Sequence, residues 1–231
     1  NDYTDDFSCR GRWVNYLAGG SAAYPDGPGL NIPVNMSVAF HSDAGCRPTN
    51  ELVGTFMFYT IKDDDKETTY PSGGDRICNR DFADYIQTQI VEDIRQTMVP
   101  DWQKRHLMHQ SMSETRNPKV PSTIIELLSH HNYYDMTFGL DPKFKFIASR
   151  AIYKGMLRFI HQTTGTPYVV QPLPVQQMNV SYTNNDTLNI RWAERVDRLE
   201  PTATPTYYIV YTRTSQQKDG EWVVSDWDNG V

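Results

Sequence analysis

Val120–Asn132 reads V-P-S-T-I-I-E-L-L-S-H-H-N. Thr123 to Leu128 is an apolar, β-branched run preceded by Pro118 and Pro121, and it predicts a strand. One carboxylate, Glu126, stands inside it between Ile124, Ile125, Leu127 and Leu128. A carboxylate among such neighbours is costly unless it is paired, bound to metal or kept protonated. Burial would lift its pKa toward the range useful to a general base. The other reading is a glutamate on an edge strand that points to water.

Working outward, two more strands and two helices frame this segment. Val34, Met36, Val38 and Phe40 alternate with Asn35, Ser37 and Ala39, so Val34 to His41 predicts a strand. Residues 52–61, L-V-G-T-F-M-F-Y-T-I, predict another. Between residues 81 and 98, Phe82, Tyr85, Ile86, Ile90, Ile94 and Met98 step at three and four, the mark of a helix with one apolar face. Residues 143–160 repeat the pattern with Phe144, Ile147, Ala148, Ile152, Met156, Phe159 and Ile160. The first 20 residues turn briefly helix-like at Trp13, Val14 and Leu17, and residues 101–119 read as polar and irregular. Strands alternating with helices imply an α/β fold, a mixed or parallel sheet flanked by helices.

The style changes after His161. Gly165, Pro167, Pro172 and Pro174 mark a linker. Met178 to Tyr182, Leu188 to Trp192, Tyr207 to Tyr211 and Glu221 to Val224 then read as short strands of an all-β sandwich fragment. The expected division is 1–163, a linker at 164–174, and 175–231.

The chain has 231 residues, is 39% hydrophobic and carries a net charge of −6. That supports a packed core and argues against non-specific nucleic-acid binding, which needs clustered Lys and Arg. No run approaches the roughly 18 apolar residues of a membrane span. Cys9, Cys46 and Cys78 fit no zinc-finger spacing, and either one disulfide with a free thiol or three thiols satisfies the count.

His41 is the second candidate for chemistry. It ends an apolar strand in S-V-A-F-H-S-D-A-G, and ligands of open α/β sheets bind beyond strand carboxyl ends. It reads either as a metal ligand or as a strand-end histidine satisfied by hydrogen bonds. His41 with Glu126 suggests metal-assisted hydrolysis, the carboxylate moving the proton. Of His130-His131, at most one can line a site, because neighbours on a strand face opposite ways. His106 and His109 have ligand spacing only if helical, and Asp63-Asp64-Asp65 reads as a polar hairpin tip without EF-hand spacing.

These residues resemble the zinc-dependent N-acetylmuramoyl-L-alanine amidases of the amidase type 3 family. S-V-A-F-H-S-D-A-G is similar to that family's S-I-H-A-N-A strand, and V-P-S-T-I-I-E-L-L-S-H-H-N to its P-x-V-L-x-E-x-G-F-x-S-N segment. Leu140 to Ile160 resembles the I-A-x-A-I-x-x-G-I helix, Val53–Tyr59 the G-x-E-x-Y-Y strand, and Arg12-Trp13-Val14-Asn15 the R-x-x-x-A-N turn. The order holds over about residues 5–160.

The resemblance implies that His41 ligates Zn2+ and that Glu126 activates water. The reaction implied is cleavage of the amide between N-acetylmuramic acid and L-alanine of a peptidoglycan muropeptide. It also implies two further zinc ligands, a His and a Glu, ahead of the Arg turn. No residue of this chain matches them, so the domain is expected to start after its first strands. His130-His131 replaces the family's S-N pair, and Leu128-Ser129 its Gly-Phe pair. The tail resembles the first half of a fibronectin type III domain, which takes about seven strands and roughly 100 residues. The combination resembles secreted cell-envelope proteins of the Bacteroidetes type, placing the chain outside the cytoplasm: secreted, periplasmic or in the envelope. The alternative function is a non-catalytic envelope-binding or adhesion protein with an incomplete zinc site.

Overall fold

The computed structural model describes residues 2–45, 51–184 and 187–231. The chain divides into two compact units, Asn1–Tyr168 and Val169–Val231.

In the first unit α1 (Asp2–Ala18) precedes the strands β1 (Ser37–Asp43) and β2 (Thr55–Tyr59). Then follow α2 (Cys78–Thr97), β3 (Lys104–His109), α3 (Ser113–Arg116), β4 (Ser122–Ser129), α4 (Tyr133–Gly139) and α5 (Pro142–Thr164). The four strands form one mixed sheet in the order β1-β4-β2-β3. β4 pairs parallel with β1 and antiparallel with β2, and β2 pairs parallel with β3. The α/β reading therefore holds, with helices flanking a sheet of both strand senses.

The core lies between the sheet and the pair α2–α5. Met57, Ile125 and Leu127 meet Phe82, Ile86, Ile90 and Ile94 of α2 and Phe144, Ala148, Ala151 and Phe159 of α5. The helices approach closely because Gly155 faces Ile86: a β-carbon there would sit 2.7 Å from the Ile86 Cα. Trp102, fully buried, donates its indole N–H to Thr55 Oγ1 at 2.9 Å, and Thr55 Oγ1 donates to the Leu127 carbonyl at 3.0 Å. Gln87, also fully buried, donates to the carbonyls of Thr55 and Arg105 at 3.0 and 2.8 Å. These polar bridges hold β2, β3 and β4 in register. α5 starts at the Asp141 cap, whose side chain accepts from Lys143 N, with Pro142 in the first turn. It ends at Gly165 with φ 72°.

α1 is longer than the brief helical stretch expected. It docks on the α3 region through Asn15, which donates to the Asn117 carbonyl at 2.9 Å and accepts from Lys119 N at 2.7 Å. Residues 101–119 depart from the irregular expectation, since they supply β3 and α3. K-R-H-L-M-H mixes polar and apolar side chains because β3 is an edge strand with one side of its ladder unpaired.

The second unit holds two antiparallel pairs: β5 (Gln176–Asn184) with β6 (Thr187–Ala193), and β7 (Ser215–Lys218) with β8 (Glu221–Val224). The β7–β8 turn uses Asp219 and Gly220, both at positive φ, the hairpin geometry those residues favour. Tyr207–Tyr211, expected as a strand, is not one. Val210 exchanges two backbone hydrogen bonds with Val231, at 2.9 and 3.1 Å, without extending into a ladder.

Candidate active site

The parallel register of β1 and β4 sets His41 opposite Glu126, and the antiparallel register of β2 sets Phe56 opposite the same Glu126. Register partners share a face of the sheet. Ile125 and Leu127 belong to the α2–α5 core, so this face is the opposite one.

His41 is part-buried, its side chain 30% exposed, and its Nε2 lies 3.1 and 3.0 Å from the two carboxylate oxygens of Glu114. Since a carboxylate only accepts, Nε2 carries the proton and donates. Glu114 Oε1 also accepts from Arg10 Nη1 at 2.9 Å, and Arg10 bonds Asp6 at 2.8 Å. A second pair lies beside the first: Arg105 Nη1 to Asp43 Oδ2 at 2.6 Å. The Arg105 guanidinium covers the Phe56 ring at 4.3 Å, and His106 meets the same ring edge-on at 5.0 Å.

Glu126 is the uncompensated group. Its Oε2 is buried without a hydrogen-bond partner. Burial pushes its carboxyl above the ordinary value; Asp43 and Glu114 push the same way, while His41 and Arg105 oppose them. The result is a carboxylate that holds a proton more readily than a solvated one, among alternating charges.

On the other side of β1 an apolar cavity of about 390 Å³ is lined by Phe40, Ser42, Leu128, His130, Phe144 and Lys145, and His41 reaches it as well. Ser42 Oγ and His130 Nδ1 are 2.9 Å apart. Of the adjacent histidines His130 is the one lining the cavity; His131 packs edge-on against it at 4.4 Å.

The other sequence candidates are elsewhere. His106 and His109 lie on β3, not on a helix, and His109 stacks on Tyr59 at 5.4 Å. Asp63 is tied to Lys119 at 2.8 Å and Arg76 at 3.6 Å, and Asp64 pairs with Arg116. These contacts belong to a folded polar loop. Cys9 and Cys78 are both free thiols, and Cys46 lies outside the described residues. Burial, with Asp75 and Asp81 adding to it, pushes the Cys78 thiol up to about 11, away from nucleophilic use.

Sequence reasoning missed Glu114 and Arg10. Glu114 sits in the polar stretch before Pro118, and nothing local marks it, because its partner is 73 residues away.

The zinc that the family resemblance implies meets two donors, His41 and Glu114. A catalytic zinc takes three protein ligands, and among the described residues no group of three His, Cys, Asp or Glu side chains comes together. The described residues therefore do not complete such a centre. No helix among them is long and apolar enough to cross a membrane.

No protein-family model matches the chain, and no curated protein matches it. Among solved structures it is similar to an N-acetylmuramoyl-L-alanine amidase from Clostridium difficile 630, with 15% identity over 68% of this chain and 66% of that one, at a TM-score of 0.49. It is also similar to the CwlD amidase of Clostridioides difficile, solved in complex with the GerS lipoprotein. That match has 16% identity, covers 69% of this chain and 64% of the other, and has a TM-score of 0.47. The amidase Ami1 of Mycobacterium smegmatis matches at 18% identity over 56% and 55%, with a TM-score of 0.42. The chain spans less than two thirds of each of these proteins.

Proposed function

We propose that the first unit is the amidase domain of a peptidoglycan hydrolase, cleaving the bond between N-acetylmuramic acid and L-alanine. The observation that carries this reading is Glu126: a carboxylate with one buried, unpartnered oxygen and a raised pKa, in register with His41 at the end of a parallel strand pair. The ordered motifs around both residues support it.

In this reading Glu126 is the general base. It takes a proton from the water that attacks the amide carbonyl, and returns that proton to the departing amine of L-alanine as the C–N bond breaks. A pKa lifted by burial suits both halves of the exchange. His41 is the proposed zinc ligand, and the zinc cofactor requires donors beyond those described. Residues 1–163 form the proposed amidase-like domain, 164–174 the linker and 175–231 part of a fibronectin type III-like module. A peptidoglycan substrate puts the protein outside the cytoplasm: secreted, periplasmic or in the envelope.

One observation favours the second reading, an amidase-like protein that binds the envelope without hydrolysis: His41 Nε2 is already engaged by Glu114. One experiment separates the two. Purified muropeptide is incubated with the zinc-supplied protein, and free peptide is measured by mass spectrometry. The amidase reading expects peptide release that Glu126→Ala abolishes with metal content unchanged, and His41→Ala to lose metal. Release undiminished in Glu126→Ala would overturn the role of Glu126. Binding to peptidoglycan with no release by the parent would favour the second reading.

A further inference from the structure

The apolar cavity beside β1 lies between two layers of the first unit. β1 and the end of β4 form one wall through Phe40 and Leu128, and α4 with the first turns of α5 forms the other through Met136 and Phe144. Leu128 and Phe144 belong to the core, so the packing of the unit fixes this space. Phe40 precedes His41 in β1 and points to the face opposite the His41–Glu126 register pair. Its ring stays 61% exposed. At about 390 Å³ the cavity falls in the size range of small-molecule pockets and has room for about a dozen groups the size of water.

The polar groups at this cavity are of one kind. Ser42, His130 and Lys145 line it, and among the described residues no carboxylate does, although the chain carries a net charge of −6. Lys145 enters no ion pair among the described residues. Ser42 Oγ and His130 Nδ1 share one hydrogen bond at 2.9 Å. Whichever of the two donates, one proton is not used within the pair: the Nε2–H of a neutral His130, or the hydroxyl of Ser42. The cavity therefore offers a cation and a hydrogen-bond donor beside an apolar wall. A cationic ligand would be repelled by Lys145, and a ligand polar along its length would lose its hydration against Phe40, Leu128, Met136 and Phe144. An apolar body with an anionic head satisfies both parts.

We propose that this cavity binds an apolar monocarboxylate, an unbranched fatty acid of about 8–12 carbons, whose length follows from a methylene taking up nearly the space of a water. The chain lies against Phe40, Leu128 and Phe144, and the carboxylate meets Lys145 and the Ser42–His130 pair. Binding needs neither a metal nor hydrolysis, so it stands apart from the roles given to His41 and Glu126.

The test is isothermal titration calorimetry of the 231-residue protein with hexanoate, octanoate and decanoate below micelle-forming concentrations, and with decanol and decylammonium as uncharged and oppositely charged probes. The expected result is one saturable site per chain, with affinity rising about fourfold per added methylene. Decanol should bind at least about fivefold more weakly than decanoate, and decylammonium more weakly still. Lys145→Glu and Phe40→Ala should each weaken decanoate by about fivefold or more. Both positions are exposed, so folding should survive, as circular dichroism will check. Lys143→Glu makes the same charge change on α5 outside the cavity and should leave affinity unaltered. Undiminished affinity in either cavity variant, equal affinity for the three ten-carbon probes, or no saturable binding would overturn the proposal. Sedimentation velocity covers the other occupant: self-association that Phe40→Ala abolishes, with no decanoate bound by the parent, would give the cavity to a second copy of this chain.

Discussion

Removing Lys154 tests how the helical layer supports the sheet. Lys154 of α5 and Asp93 of α2 pair at 2.7 Å with side chains 0% and 3% exposed. Asp93 also accepts from Gln89 Nε2 at 2.9 Å, and Gln89 Oε1 accepts from Arg158 at 2.7 Å. Lys154→Met fills a similar volume with no charge and removes the ammonium that faces the buried Asp93 carboxylate. Breaking a buried pair from one side costs about 3–5 kcal/mol. At roughly 2–4 °C per kcal/mol for a unit of this size, the melting temperature should fall by about 6–20 °C. Adding Asp93→Asn removes the buried negative charge and keeps an acceptor for Gln89. The double variant should therefore recover most of the loss, with a coupling energy of about 2–3 kcal/mol. The assay is helical circular dichroism on heating, which reports the first unit because the helices lie there. A single variant within 1 kcal/mol of the parent, on the order of an ordinary surface change, would refute the burial argument. So would a double variant whose losses simply add.

Two further outcomes are expected. Burial raises the Glu126 carboxyl above its ordinary 4.5, so the folded chain keeps that proton at pH values where the unfolded chain has lost it. The cost of burying the charge is absent below the ordinary value and complete above the raised one. The stability of Glu126→Gln relative to the parent should therefore increase as pH rises from 4 to 8. Equal stability differences at both pH values in melting curves would contradict the sign. For the thiols, iodoacetamide at pH 8 should modify exposed Cys9 quickly and half-buried Cys78, raised to about 11, much more slowly. Peptide mapping that finds Cys78 labelled first would contradict its burial.

The elements with strong periodicity were legible before any coordinates. The apolar steps from Phe82 to Met98 and from Phe144 to Ile160 belong to helices, and the Thr123–Leu128 run to the central strand, because burial on one face imposes its period on the side chains. Glu126 and His41 stood out for the same reason, as polar residues in apolar runs. What escaped was whatever the long-range partner decides. β3 shows no clean alternation because it is an edge. α4 (Tyr133–Gly139) and α3 are too short for a period. Tyr207–Tyr211 alternates like a strand but gains one pairing, with Val231. Glu114 carries no local signal, since only the docking of α1 on α3 brings Arg10 to it.

The order of strands in the sheet has a consequence for biosynthesis. β1 has no sheet neighbour except β4 among the described residues, and β4 is made after β2, α2, β3 and α3. At 5–20 residues per second, β1 waits roughly 4–17 s for its partner. Throughout that interval Val38 and Phe40 belong to an unpaired, weakly charged strand of the kind that recruits other nascent chains. The closure of β1 on β4 ends this exposure and in the same movement aligns His41 with Glu126. A ribosome-bound chain that stops before Glu126 therefore carries the exposed strand without the pairing that sets His41 opposite Glu126.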